Sequence, residues 1–153
     1  MKTSCSGLFK HALGFLAVVG MLVLPVSTAF AHGATQSELI ATTGQGVGRA
    51  IVSPTAQDHG TFAAEITVNV HAAAPNTTFS VWRAPDLVPD GICTGPLLPF
   101  GESFTTSAGG AGATHFLFEK SSLVSGVQFD TAFRLIGSDG TVLQGDCMTV
   151  TVK

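Results

Sequence analysis

The sequence is poor in charge and in aromatic residues other than phenylalanine. Only 11% of its 153 residues are charged, there is no tyrosine, and Trp82 is the single tryptophan. No basic run occurs, which argues against nucleic acid as a partner. Aromatic binding platforms usually need several exposed rings. Trp82 is therefore predicted to be a buried ring beside a hairpin, and a sugar-stacking role is the weaker interpretation.

Motifs for catalysis are also missing. The sequence has no Gly-x-Ser-x-Gly nucleophile elbow, and its glycine run at residues 44–48 lacks the spacing and the following helix of a phosphate-binding loop. Its cysteines are too far apart for a catalytic or metal-binding thiol pair. The prediction is that the chain is not an enzyme and needs no cofactor, apart from the copper hypothesis given below.

Long apolar runs and helical patterns are scarce after residue 26. No stretch of ten or more residues there shows the 3.6-residue apolar period of a capped amphipathic helix. No second apolar segment is long enough to cross a bilayer. The chain after the first 31 residues is therefore predicted to be all-β and to have no membrane anchor.

The first 31 residues have the three parts of a secretory signal peptide. Lysines near the start precede an apolar run at residues 12–26, and Ala29 and Ala31 give the small-x-small pattern that signal peptidase accepts. This run is shorter than the roughly 20 residues that span a bilayer as a helix. Cleavage after Ala31 would make His32 the first residue of a secreted or extracellular product, or of a periplasmic or cell-surface one in a Gram-negative source.

Cleavage changes both the charge and the cysteine count. It leaves five Lys and Arg against ten Asp and Glu, so the net charge moves from −3 to −5. Cys5 is removed while Cys93 and Cys147 remain, and one intramolecular disulfide is therefore expected in an oxidising compartment. It would close a loop of about 55 residues and stabilise the fold by up to about 4 kcal/mol.

Period-two alternation of apolar and polar residues predicts the strands. It is clearest at residues 62–71 and resumes at residues 78–83, which suggests a hairpin between the two. A tight turn at residues 137–140 is expected to join the last two strands. About seven strands result, in one domain at residues 46–153. The others are expected at residues 46–53, 103–106, 114–119, 129–136 and 141–152, the last with a bulge at Gly145.

Two stretches break this pattern. Residues 32–45 are mostly small and polar, and they are expected to form a flexible lead-in with at most a short edge strand. Residues 84–103 contain four prolines and are predicted to form a long loop, ordered through Cys93. An ordered loop of about 20 residues is usually functional, so this loop is the first candidate for a binding surface.

The strand count and turn spacing of the mature chain resemble the immunoglobulin-like and fibronectin-like antiparallel β-sandwiches of exported proteins. This resemblance implies a sandwich of about seven strands. The chain departs from a true immunoglobulin domain in the position of its tryptophan. Trp82 precedes both Cys93 and Cys147, so the usual cysteine bridge across the sandwich is not reproduced.

A copper site is an alternative basis for function. If His32 is the mature N-terminus, its free amine and imidazole could chelate copper together with a further histidine from His59, His71 or His115. Exported copper carriers and polysaccharide-cleaving monooxygenases with an N-terminal histidine resemble this arrangement in that single feature. The simpler interpretation is that the other three histidines are scattered surface or partly buried side chains.

The expected function is that of an exported, non-catalytic binding or structural module at the cell surface or outside the cell. Residues 84–103 or one sheet face would contact another macromolecule or a cell-surface component. A copper-binding protein that uses His32 is the alternative, and an undetected enzyme with its site in the long loop is the third hypothesis. Asn76 begins an Asn-Thr-Thr sequon in a turn, which predicts glycosylation if the source is a eukaryote.

Overall fold

The computed structural model of the protein describes residues 33–56, 61–121 and 123–153. The predicted signal peptide, including Ala29 and Ala31, lies outside the described residues, as do His32 and His59. The described residues form ten strands and no helix, so none of them belongs to a helix that could cross a membrane. The strands are β1 (Thr35–Thr43), β2 (Val47–Thr55), β3 (Phe62–His71), β4 (Thr78–Asp86), β5 (Leu98–Pro99), β6 (Phe104–Thr105), β7 (Gly112–Lys120), β8 (Gln128–Gly137), β9 (Val142–Gly145) and β10 (Met148–Thr151).

All ten strands belong to one antiparallel sheet that curls into a half-barrel. The strand order is β5-β4-β8-β9-β1-β2-β3-β7, with β10 paired to β8 and β6 paired to β4. β6 also lies against β7, so the two outer ends of the curled sheet approach each other across the core. The predicted all-β class is confirmed for the described residues.

Strand β3 shows how the alternation of the sequence builds the core. Ile66 and Val68 are buried on its inner side, whereas Glu65 and His71 are exposed on its outer side. β3 pairs with β2 along one edge and with β7 along the other, so both of its edges are hydrogen-bonded to neighbouring strands. The predicted period-two pattern is confirmed here. The largest buried side chains of the core are Leu39, Phe62, Ile66, Phe79, Phe133, Leu135 and Leu143.

The expected lead-in at residues 32–45 is wrong for residues 35–43, which form strand β1 inside the sheet. β1 pairs with β2 on one side and with β9 on the other. Leu39 is fully buried, and the Ser37 hydroxyl donates a hydrogen bond to the Asp146 carbonyl oxygen at 3.1 Å. Both edges of β1 are hydrogen-bonded, one to β2, which is next in sequence, and the other to the distant β9. The strand is therefore stable with few apolar residues of its own.

The hairpin expected between β3 and β4 is also wrong, since the two strands lie in different parts of the sheet. The connection between them is bonded to the segment that joins β6 to β7. The Ala73 N–H donates to the Gly110 carbonyl oxygen at 3.1 Å, and the Thr77 N–H donates to the Thr106 hydroxyl at 2.9 Å. These bonds lead the chain across the end of the half-barrel instead of back along β3.

The tight turn predicted at residues 137–140 is confirmed and joins β8 to β9. The Gly140 N–H donates to the Gly137 carbonyl oxygen at 3.0 Å, and Gly140 has a φ of +87°, which favours glycine. The predicted last strand is present as β9 and β10, which both pair with β8. Its interruption falls at residues 146–147, directly after the bulge expected at Gly145.

The immunoglobulin-like sandwich is not confirmed. Hydrogen bonding runs through the β9–β1 pair, and it therefore joins both halves of the molecule in one sheet instead of two. The count of ten strands exceeds the predicted seven for three reasons. β1 adds a strand that the sequence does not predict, the last predicted strand is divided in two, and β5 is a two-residue strand inside the predicted loop.

Candidate ligand-binding site

The long loop is shorter than the sequence predicts and is tied to the sheet by the expected disulfide. β4 continues to Asp86 and β5 begins at Leu98, so the loop itself spans residues 87–97. Cys93 and Cys147 form a disulfide with their Cα atoms 5.5 Å apart. This confirms the predicted pairing and fixes the loop to the segment between β9 and β10. The bond is compatible with an oxidising extracellular location.

Two carboxylates also hold the loop. Asp86 accepts hydrogen bonds from the Val88 N–H at 3.0 Å and from the hydroxyl and N–H of Thr94 at 2.7 and 3.0 Å. The hydroxyl bond from Thr94, followed by the two backbone bonds, lowers the pKa of Asp86. Asp130, which is fully buried in β8, accepts a hydrogen bond from the Gly91 N–H at 2.6 Å. The loop is therefore anchored at several points along its length.

Exposed apolar side chains are concentrated near this loop. Of the eight large apolar side chains that are exposed among the described residues, six lie in residues 87–98 or 123–127. Leu87 is the most exposed, at 74%. Clusters of this kind on a protein surface often mark binding sites. The six are Leu87, Val88, Ile92, Leu98, Val124 and Val127.

A cavity of about 300 Å³ opens between the two segments. Leu87 and Leu98 come from one side of it and Leu123 from the other, while Phe118 and Phe129 extend into it from β7 and β8. The lining is therefore largely apolar. It has two charged members, Arg83 at the inner side of β4 and Lys120 at the end of β7. This space is the binding cavity of the protein.

Arg83 is held in the binding cavity by aromatic rings. Its guanidinium carbon lies 4.2 Å from the centroid of the Phe100 ring and 4.3 Å from that of the Phe118 ring. These are cation–π distances, and burial lowers the pKa of Arg83. Within the described part of the chain, Arg83 makes no hydrogen bond or ion pair through its side chain, and neither does Lys120. Two cations thus lie at an apolar cavity whose lining, among the described residues, contains no carboxylate.

A polar group without a partner lies beneath the binding cavity. Thr131 is buried in β8, and its hydroxyl is the one buried polar side-chain atom of the described residues that has no hydrogen-bond partner. It lines a small void of about 10 Å³ together with Arg83 and Phe118. The nitrogens of Arg83 are absent from the buried unpaired atoms, so those without a partner are accessible to solvent.

Sequence reasoning missed these three polar residues, although the signal was present. Arg83 follows Phe79 and Val81 with the same parity, so the period-two pattern places it on the inner face of β4. Lys120 follows Phe118 in the same way on β7, and Thr131 lies two residues after Phe129 on β8. A polar residue in an inward-facing row of apolar residues is the feature that could have identified the site.

The histidines of the copper hypothesis are not brought together in the described residues. His71 ends β3, and His115 lies on the outer face of β7, where its Nδ1 shares a hydrogen bond with the Thr67 hydroxyl at 2.9 Å. Thr67 is the cross-strand partner of His115, so His71 is four residues, or about 13 Å, further along the strand. No group of three or more His, Cys, Asp or Glu with metal-binding geometry occurs among the described residues. His32 and His59 lie outside them.

Two other residues of interest lie away from the binding cavity. Trp82 is half-buried on the outer face of β4, where its indole N–H donates to the Ser80 hydroxyl at 3.0 Å. The predicted burial beside a β3–β4 hairpin is thus not observed. Asn76 is exposed in a turn with a φ of +52°, and its glycosylation stays a prediction.

The chain was also compared with known proteins. No protein-family model matches it, and no curated protein matches it in sequence. Function is therefore inferred from the geometry of the binding cavity.

Proposed function

We propose that the chain is an exported, non-catalytic binding domain that acts at the cell surface or outside the cell. The observation that carries this proposal is the binding cavity, framed by two segments with exposed apolar side chains. Sites for small molecules typically enclose about 300 to 1,000 Å³, and the cavity lies at the lower end of this range. Export follows from the predicted signal peptide at residues 1–31 and is supported by the disulfide.

The lining of the binding cavity suits binding better than catalysis. Among the described residues that form it, no His, Cys, Ser, Asp or Glu is available as a nucleophile or as a general acid or base. Arg83 and Lys120 instead supply positive charge that can fix the orientation of a ligand. The sequence favours a macromolecular partner for the long loop, but a concave apolar site favours a small ligand.

The anchoring of the loop supports the same proposal. The disulfide at Cys93 and the carboxylates of Asp86 and Asp130 hold residues 87–97 without any ligand. A site that is already ordered loses less conformational entropy when it binds. We infer that these restraints serve to keep the mouth of the binding cavity open and in place.

The proposal is tested with Nile red, a neutral apolar dye whose fluorescence rises in apolar sites. The exported, oxidised protein is expected to bind the dye, and Leu98→Asp is expected to weaken binding about tenfold, because it places a charge in the cavity wall. Leu117→Asp is the matched control, since Leu117 is exposed on the outer face of β7. Absence of dye binding, or equal loss in both variants, would overturn the proposal.

A further inference from the structure

We infer that the ligand of the binding cavity is a medium-chain amphipathic anion: an aliphatic chain that ends in one carboxylate, bound by Arg83 and Lys120. This inference rests on the proposed function, because it names the ligand class of the same cavity. Three observations carry it, namely the two cations without partners, the apolar walls and the size of the space.

The charge of the ligand follows from Arg83. The guanidinium group of Arg83 is partly desolvated against the rings of Phe100 and Phe118, and its unpaired nitrogens remain accessible. The rings contact the guanidinium group and accept no ordinary hydrogen bond from it, which leaves its N–H groups free to bind an oxyanion. A carboxylate is the anion that best matches the planar fork of arginine.

A second cation at the rim supports the same sign of charge. Lys120 lines the binding cavity from β7 and Arg83 lines it from β4, and no acidic side chain of the described residues belongs to this lining. The chain carries an excess of acidic residues, with ten Asp and Glu against seven Lys and Arg. Two unpaired cations at one apolar opening are therefore not explained by the overall composition.

The unpaired hydroxyl of Thr131 is an independent sign that a polar group belongs near Arg83. It is 3% exposed and lines the same small void as Arg83, just below the binding cavity. The void beside this hydroxyl is too small for a carboxylate, so Thr131 adds a polar group near Arg83 without contacting the ligand. The head group of the ligand is placed at the Arg83 side of the cavity because the guanidinium group lies there.

The length of the aliphatic chain follows from the volume. At roughly 30 Å³ per non-hydrogen atom, the share of a water molecule in the liquid, a space of about 300 Å³ holds about ten such atoms. Octanoate has this size. The walls that would contact its chain are the side chains of Leu87, Leu98 and Leu123.

The test compares three ligands of equal chain length by isothermal titration: octanoate, neutral 1-octanol and cationic octylamine. Octanoate is expected to bind about tenfold or more tightly than 1-octanol, the gain of one charge-assisted hydrogen-bonded contact. Octylamine is expected to bind more weakly than 1-octanol. The octanoate preference should decrease as salt concentration rises, because part of it is electrostatic.

Variants of Arg83 test whether its guanidinium group binds the carboxylate of the ligand. Arg83→Met keeps the apolar stem and is expected to abolish the preference for octanoate while 1-octanol binding is retained, whereas Arg83→Lys should keep part of it. Arg49→Met is the matched control, since Arg49 is exposed on the outer face of β2. Thermal unfolding of each variant shows whether it is folded, and a misfolded Arg83→Met leaves Arg83→Lys and Lys120→Met to decide.

The outcomes separate the inference from the proposed function. Equal binding of octanoate and 1-octanol, with both lost in Leu98→Asp, would overturn the anionic ligand and leave the binding function standing. No binding of any of the three ligands or of Nile red would overturn both. Binding to vesicles of anionic phospholipid without binding of free octanoate would also overturn the inference, because it would assign the surface to a membrane.

Discussion

At the residue scale, two features at and beneath the binding cavity are unusual for a protein selected only for stability. Arg83 holds a positive charge against aromatic rings without a carboxylate, and Thr131 holds a buried hydroxyl without a partner. The unpaired hydroxyl is unfavourable for the folded state of the unliganded protein, and the partial desolvation of the Arg83 guanidinium group adds to this cost. Such local exceptions to good packing are expected where a fold retains residues for binding.

The Thr131 hydroxyl leads to a prediction about stability. Replacing Thr131 with Val removes a buried unpaired hydroxyl with little change in shape, so we expect the free energy of unfolding to rise by about 1 kcal/mol. Urea denaturation measures this change. Thr141→Val is the control: Thr141 is equally buried, but its hydroxyl donates to Asp139 at 3.0 Å, and its loss should destabilise the protein by about 1 kcal/mol. A decrease in stability for Thr131→Val would contradict the assignment.

The hydrogen bonds that Asp86 accepts predict that the anchoring of the loop depends on pH. Hydrogen bonds from Thr94 and Val88 lower the pKa of Asp86 below its value in the unfolded chain. Its stabilising effect is therefore fully present above the unfolded pKa, near pH 4, and is lost as the pH falls through the lower folded pKa. The stability difference between wild type and Asp86→Asn should be present at pH 6 and vanish in acid. A difference that stays constant with pH would exclude this role.

At the element scale, β1 shows that a strand can be central without an apolar sequence. It has both edges paired, by β2 and by β9, and β9 lies about 100 residues later in the chain. The sheet would be divided in two without it. The neighbours therefore supply most of its stability, and Leu39 supplies the apolar contact that fixes its register.

Substitution of adjacent residues in β1 tests this role. Leu39 is fully buried, so Leu39→Ala should lower the free energy of unfolding by about 2 to 5 kcal/mol. Ile40 is 56% exposed on the other side of the same strand, and Ile40→Ala should cost about 0.5 kcal/mol or less. Urea denaturation of both variants decides the matter. Two equally small effects would show that residues 35–43 are a loose lead-in after all.

The strands that the sequence predicts best are those that carry their own apolar pattern. β3 and β8 alternate clearly, and the tight turn after β8 has Gly140 at the position that adopts a positive φ, so all three are confirmed. The sequence does not predict equally well which strands pair with each other. β3 and β4 follow each other in the chain without pairing, because the segment that joins them is hydrogen-bonded to Thr106 and Gly110. Pairing between distant segments leaves little trace in local composition.

Part of the candidate site could be predicted from the sequence, and part of it could not. The disulfide between Cys93 and Cys147 follows from composition, and it correctly singles out the long loop. The parity of Arg83 and Lys120 indicates that they face inward, but only the curl of the sheet brings β4 and β7 to one cavity. The histidines are candidate metal ligands by their chemistry. The two described ones, His71 and His115, lie on the outer face of the sheet and not at the binding cavity.

At the scale of the whole molecule, the curl of the half-barrel brings side chains of β4, β7 and β8 to one binding cavity. β4 and β7 are far apart in the order of the sheet, yet they supply Arg83 and Lys120 to the same space. The loop at residues 87–97 supplies Leu87 to the cavity wall and is attached through Cys147 to the segment between β9 and β10. Binding at the cavity and the stability of the fold should therefore be linked through the disulfide.

Removal of the disulfide tests this link. In Cys93→Ser/Cys147→Ser, the free energy of unfolding should fall by up to about 4 kcal/mol, because the unfolded chain is no longer constrained. The residues 87–97 would keep only their hydrogen bonds to Asp86 and Asp130, so the affinity for octanoate should fall as well. Urea denaturation and titration with octanoate measure the two effects on the same samples.

A comparison of affinities separates a loosened loop from a generally weakened protein. Leu39→Ala is expected to lower stability by a similar amount, but its side chain does not line the binding cavity. At a temperature where both proteins are folded by circular dichroism, Leu39→Ala should bind octanoate like the wild type and the double serine variant should bind it less well. Equal affinity in the serine variant would mean that Asp86 and Asp130 order the loop without the disulfide, which would then stabilise the fold without shaping the site.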